Sequence, residues 1–242
     1  MKITKIECIP VSLKFAKPMI MAIGSIPCAD TVVLKIYTDA GITGISESGD
    51  TSVWYMGDSQ DSIMHLINKV FGPQILLGED PFKIEKIVSR MDKAVKLNQH
   101  AKSVVDYALH DIKGKALNTP VYNLLGGLST EKIPLCYVMS SDTPEQVAAD
   151  GVKLLKTGFR SLKLKVGARS LEEDVNLVAA LRDAVGSKAR IMIDVNGGWH
   201  YNQALRTLKA MEKFDLFLCE QPVPRWDFEG LARLRRKVNI PI

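Results

Sequence analysis

The chain has 242 residues, 46% of them hydrophobic and 24% charged, and a net charge of +5 spread along its length. That length buries one large domain or two smaller cores, and the balance is that of a soluble globular protein. No apolar run approaches the ~20 residues of a membrane span, and the opening MKITKIECIP lacks the apolar stretch of a secretory signal, so a cytoplasmic location is expected.

The chain opens with strand-like runs at 3–13, 31–38 and 44–47. Asp39-Ala40-Gly41 separates the last two and reads as a hairpin turn, with Gly41 free to take positive φ. Helical periodicity follows at about 59–70, 81–94 and 101–117. In the third helix Val104, Val105, Ala108, Leu109 and Ile112 form one wide apolar stripe. Pro120 stops it, because proline disfavours helix in its predecessor. Strands followed by helices without alternation indicate an α+β domain over residues 1–127.

After Gly126-Gly127 strands and helices alternate. Strands are expected at 133–139, 161–166, 190–195 and 216–220, with helices at 143–156, 171–185, 202–214 and 228–237 between and after them. Ile240-Pro241-Ile242 reads as the start of one more strand. This is the repeat of a parallel (β/α)₈ barrel, which needs ~250 residues by itself, whereas only residues 128–242 remain. The expectation is therefore an α+β capping domain (1–127) followed by the first half of a TIM-like barrel (128–242), in a chain that stops within the fifth barrel strand.

Several common chemistries lack support. Cys8, Cys28, Cys136 and Cys219 show no CxxC spacing and read as buried thiols of a reducing compartment rather than disulfides or zinc ligands. His65, His100, His110 and His200 form no metal-binding pair, and neither a phosphate-binding loop nor a strand-linked GxGxxG is present. The densest basic stretch, Arg233, Arg235, Arg236 and Lys237, has helical spacing and reads as a solvated helix face rather than a nucleic-acid patch.

The polar residues that carry chemistry stand near the ends of three successive barrel strands. In Ser161-Leu162-Lys163-Leu164-Lys165 the side chains alternate, so both lysines share one face. Adjacent ammonium groups would favour each other's neutral form and bring a lysine toward the range of a general base. The competing reading is an amphipathic edge strand with both lysines in water. Asp194 and Asn196 share a face at the end of the next strand, and Glu220 closes the one after, followed by Gln221. Carboxylates converging at a barrel mouth suit Mg²⁺, which would stabilise the charge that develops as an α-proton leaves a substrate carboxylate.

The combination of KxK (Lys163, Lys165), DxNxxW (Asp194, Asn196, Trp199) and EQP (Glu220, Gln221, Pro222) resembles the mandelate racemase and muconate lactonizing enzyme group of the enolase superfamily. The MKITKIE opening, the DAGITGISE hairpin, and the helix containing Asp106, Asp111 and Gly114 are also similar to that group. The resemblance implies a Mg²⁺-dependent enolising isomerase (a cycloisomerase, racemase or epimerase), with Mn²⁺ as a possible substitute. It implies Lys165 as the base on one substrate face, Lys163 as the lysine that tunes it, and Asp194 and Glu220 as metal ligands. Asn196 and Gln221 would be polar neighbours of that site. A third acidic ligand and the opposite-face acid/base would lie beyond Ile242. KxK with EQP is more like the muconate-lactonizing branch.

Two capping loops set specificity in that family, and their counterparts here are 15–26 and 48–57. Met19, Met21, Ile23, Trp54 and Tyr55 are candidates for an apolar substrate wall, although each would serve equally as core. The expected partner is a small carboxylate-bearing substrate, with further copies of the chain in a homo-oligomer, and neither nucleic acid nor membrane. A sugar-acid or hydroxy-acid dehydratase shares the first proton abstraction and stays open. So does a Schiff-base barrel enzyme with Lys163 or Lys165 as nucleophile.

Overall fold

Two long strands open the chain, β1 (Ile3–Met21) and β2 (Gly24–Thr38), followed by β3 (Thr43–Glu47) in a sheet of order β1-β2-β3. The computed structural model describes residues 1–49, 53 and 57–242. Two compact units result: residues 1–15 with 28–131, and residues 16–27 with 132–242. The β2–β3 hairpin forms where expected: Val33 pairs with Glu47 and Tyr37 with Thr43, and Gly41 sits at φ 76° in the turn.

The first hairpin corrects the sequence reading. Residues 15–26 were expected as a loop between strands 3–13 and 31–38, but they are strand on both sides of a turn at Ala22-Ile23. No Asn-Gly or Asp-Gly pair announces that turn, and the arm beyond residue 13 shows no apolar alternation because most of it is exposed.

Helix α1 (Gln60–His65) starts at a capping box formed by Ser59 and Ser62 and continues as a π-helix, Leu66–Leu76. The expected end near residue 70 is therefore too early. Pro73 has no N–H to donate, and the widened turn accommodates it; Leu77 N–H bonds back five residues to Gly72. Helices α2 (Ile84–Ala94), α3 (Gln99–Ala116) and the short α4 (Val121–Leu124) complete the unit. Val32, Leu34 and Ile36 alternate into its core against Val104, Val105, Ala108, Leu109 and Ile112 of α3, all fully buried. Burial of each such aliphatic side chain contributes about 1.5–3 kcal/mol.

The second unit contains a parallel sheet of order β4-β5-β6-β7: β4 (Cys136–Met139), β5 (Ser161–Lys165), β6 (Arg190–Asp194) and β7 (Leu218–Glu220). Helices α5 (Pro144–Lys156), α6 (Leu171–Val185), α7 (Tyr201–Met211) and α8 (Phe228–Arg235) alternate with the strands as the sequence indicates. Their starts have local causes. Thr143 caps α5 with Pro144 in its first turn, and Ser170 and Glu173 form a capping box for α6. Leu162, Leu164, Val166, Ile191, Ile193 and Val195 all face one side, where they pack with the apolar stripes of α5, α6, α7 and α8. The opposite face is thereby left to the polar residues of the same strands.

Strand ends are shorter than expected. Residues 133–135 are outside β4, with Ile133 and Leu135 exposed, and 216–217 are outside β7. Residues 240–242 form no strand, although Cys219 N–H donates to Pro241 O at 2.8 Å. Among the described residues no two cysteines form a disulfide, but only Cys219 is buried as expected: Cys8 and Cys28 are half-buried and Cys136 is exposed. On α8, Leu234 is buried while Arg233, Arg235, Arg236 and Lys237 are exposed, and Arg233 lies 4.0 Å from the Tyr201 ring centroid. Among the described residues no helix is long and apolar enough to cross a membrane.

Candidate active site

Three ionisable side chains form a transverse row at the C-terminal ends of β5, β6 and β7. The parallel register pairs Lys165 with Asp194, and Asp194 with Glu220. Lys163 stands one pleat earlier on the same face of β5. Lys165 Nζ donates to Asp194 Oδ2 at 2.6 Å and to Asn196 Oδ1 at 2.9 Å. Both ions are withdrawn from water, with Lys165 5% and Asp194 2% exposed. Lys163 Nζ donates to Glu220 Oε2 at 2.8 Å in a wetter pair, whose side chains are 22% and 43% exposed.

The turns after the strands complete this arrangement. Asn196 takes the left-handed conformation at φ 48°, which its short amide side chain tolerates, and its N–H donates to Asp194 Oδ1 at 2.9 Å. That turn carries the Asn196 side-chain oxygen to Lys165. Gln221, at φ 44°, follows Glu220 in the same way, and its carbonyl accepts from Gly197 N–H at 2.8 Å. Lys163, Lys165, Asp194, Glu220 and Asn196 are thus brought together, with Gln221 bracing the turn.

Two expectations are corrected here. β5 is an interior strand between β4 and β6, so the lysines are not those of a solvated edge. Nor do they chiefly repel one another, since each has its own carboxylate. Burial pulls the Lys163 ammonium toward its neutral form, but the hydrogen bond to Glu220 and the charges of Glu220 and Asp194 outweigh it and hold its pKa above the ordinary lysine value.

The tip of the β1–β2 hairpin belongs to the same compact unit and seats on the loops that leave the sheet. Ile20 N–H donates to Ser140 Oγ at 2.9 Å, and Ser141 N–H donates to Ile20 O at 3.3 Å. Ala22 lies so close to two glycines that a Cβ on Gly198 would fall 2.4 Å from the Ala22 Cβ, and one on Gly167 3.2 Å away. Met21 is buried beneath this tip, Met19 is half-buried, and Ile23 is 43% exposed. Trp54 and Tyr55 lie outside the described residues.

Sequence reasoning passed over Arg169, Ser141 and Asp174. Arg169 Nε donates to Ser141 Oγ at 3.3 Å, and Asp174 accepts from Gly167 N–H at 2.9 Å. In sequence Asp174 cannot be told from Glu172 and Glu173 of the same helical turn.

The donor set suits a hard cation. Asp194 and Glu220 present carboxylates on adjacent strands with Asn196 Oδ1 beside them, and Mg²⁺ is commonly held by one or two carboxylates while water fills its octahedron. Among the described residues no three or more His, Cys, Asp or Glu side chains gather where they could hold a metal ion.

A parallel α/β unit that ends its strands in paired lysines and carboxylates defines the class of fold: part of an α/β barrel. The family follows from comparison with known proteins. Residues 3–126 match the mandelate racemase / muconate lactonizing enzyme N-terminal domain, and residues 146–242 match the enolase C-terminal domain-like family. The chain belongs to the mandelate racemase / muconate lactonizing enzyme family of the enolase superfamily.

Over its whole length it is 35% identical to the N-succinyl-L-Arg/Lys racemase of Bacillus cereus, covering 65% of that protein. It is 34% identical to the hydrophobic dipeptide epimerase of Enterococcus faecalis, covering 67%. It is 31% identical to a chloromuconate cycloisomerase of Cupriavidus necator, again covering 65%. The solved racemase superimposes with a TM-score of 0.95. The epimerase, complexed with Mg and the dipeptide L-Leu-L-Tyr, superimposes with a TM-score of 0.93. The chain therefore spans about two thirds of the length of the curated relatives it matches.

Proposed function

We propose that the complete protein is a Mg²⁺-dependent racemase or epimerase that removes a proton α to a substrate carboxylate. The observation that carries this reading is the row Lys165–Asp194–Glu220, set in register on three parallel strands with its first two members buried. The preference for a dipeptide or N-acyl amino acid substrate rests on the racemase and epimerase relatives at 34–35% identity. Cycloisomerisation is the second reading, favoured by the similarity to the cycloisomerase at 31% and by the KxK and EQP motifs. Dehydration and Schiff-base chemistry have no such support. Residues 1–127 would serve as the capping domain and 128–242 as the catalytic portion, with the tip at 16–27 contributing Met19 and Ile23 to the substrate's apolar side.

In this reading Asp194 and Glu220 hold Mg²⁺, for which Mn²⁺ with the same oxygen preference should substitute. The bound metal supplies electrostatic stabilisation of the negative charge that builds on the substrate carboxylate. Lys165 must give up Asp194 and its own proton before it accepts the substrate α-proton at Nζ. Asn196 Oδ1, at 2.9 Å, keeps that amine oriented. Lys163, hydrogen-bonded to Glu220, places a second ammonium group one pleat away on the same face of β5. The burial of Lys165 excludes water that would otherwise compete for the proton.

The direct test is exchange of the substrate α-proton with solvent deuterium, followed by NMR in the full-length protein. Lys165→Ala should abolish exchange from one face, a loss of about 10²–10⁴-fold, and EDTA should abolish it in the parent. Undiminished exchange in the variant would exclude Lys165 as the base, and exchange that survives EDTA would exclude the metal.

A further inference from the structure

Asp174, in the first turn of α6, is a buried carboxylate that the lysine pairs do not explain. It is 0% exposed. Its Oδ2 accepts one hydrogen bond, from Gly167 N–H at 2.9 Å. Its Oδ1 is buried without a hydrogen-bond partner, and so is Nε1 of Trp199, which is also 0% exposed. The two orphans are complementary, since an indole N–H only donates and a carboxylate oxygen only accepts.

They are also neighbours. Trp199 Nε1 lies 3.4 Å from where a Cβ would stand on Gly167, the residue Asp174 grips, and the indole N–H helps hold the Asp174 proton affinity down. Burial nevertheless pushes the Asp174 carboxyl up to about 6. The Gly167 N–H, the Arg169 charge and Trp199 oppose that rise, and the Glu173 charge adds to it.

Helix capping does not require this residue. Glu172 and Glu173 already place acids in the same turn, and Ser170 and Glu173 already close a capping box. What Asp174 does reach is the exit of β5, two residues past Lys165, and the turn after β6, five residues past Asp194.

We propose that Asp174 is a positioning residue: by holding Gly167 on one side and the Trp199 indole on the other, it fastens the exits of β5 and β6 together and keeps Lys165 aligned with Asp194. Its effect on turnover rests on the enolising reading above, whereas the Asp174–Trp199 contact does not.

The contact is tested on this chain with Trp54→Phe and Trp226→Phe, which leave Trp199 as the only indole. Its emission should shift with pH around a midpoint near 6, and the shift should vanish in Asp174→Asn. A transition that persists in Asp174→Asn overturns the contact. The positioning role is tested in the full-length enzyme. There Asp174→Asn should lower kcat about 10–100-fold, as loss of an outer support typically does, with KM within about 2-fold and the fold intact by circular dichroism. Trp199→Phe removes the N–H together with part of the buried indole's volume and should move kcat in the same direction. An unchanged kcat in both variants overturns the role. If the parent enzyme exchanges no α-proton from any carboxylate substrate, the enolising reading fails, and the emission titration still decides the contact.

Discussion

Lys165→Met would leave the Asp194 carboxylate buried without its ammonium partner. The pair is close, at 2.6 Å, and its side chains are only 6% and 2% exposed. With an effective dielectric constant of about 20, charges at that distance attract by about 6 kcal/mol. Desolvation of both ions offsets much of this, so the pair as a whole adds little net stability. The loss of one partner should still cost about 3–5 kcal/mol, because it strands the other. Lys165→Met combined with Asp194→Asn removes both charges and should recover at least about 2 kcal/mol of that loss. Lys163→Met provides the comparison. Glu220 is 43% exposed and stays hydrated without its lysine, so the cost there should be below about 1 kcal/mol. Urea unfolding followed by circular dichroism measures all four proteins, with midpoints compared at constant m. If Lys165→Met and the double variant are equally stable, or Lys163→Met is as damaging as Lys165→Met, the row is solvated and the argument from burial fails.

Two further stability predictions concern the surroundings of the site. Gly198→Ala places a Cβ 2.4 Å from that of Ala22, at a residue with no left-handed φ, and should cost about 1–3 kcal/mol of overpacking. Ala22→Gly should relieve part of it, and a cost independent of residue 22 in urea titrations would show that the hairpin tip is not seated there. Asp174, with its folded pKa raised from the usual 3.8 to about 6, holds a proton between those pH values that the unfolded chain has released. The stability it contributes therefore falls as pH rises through that window, by about 3 kcal/mol. The difference in unfolding free energy between the parent and Asp174→Asn should trace that fall, and a flat difference from pH 4 to 7 would contradict it.

Much of this organisation is visible in one dimension because its causes are local. The two-residue period of 161–165 places Lys163 and Lys165 on one face and Leu162 and Leu164 on the other, whatever the strand pairs with. The alternation of strands and helices after residue 127 predicts a parallel sheet, and Ser170 with Glu173 predicts the start of α6. Asp39-Ala40-Gly41 likewise specifies the short hairpin.

What stayed hidden depends on partners distant in sequence. Pairing Lys165 with Asp194 and Lys163 with Glu220 requires the register of β5, β6 and β7, which the packing of their apolar faces selects. The extension of β1 and β2 into the 16–27 arm carries no turn signal of its own, and its tip is held by Ser140, Ser141 and the glycines at 167 and 198. Asp174 is one acid among three in its turn until the fold buries it beside Trp199. Composition and periodicity thus determined which residues could face one another. Only the tertiary structure decided which of them lost water, because burial is set by what packs against a side chain from elsewhere in the chain.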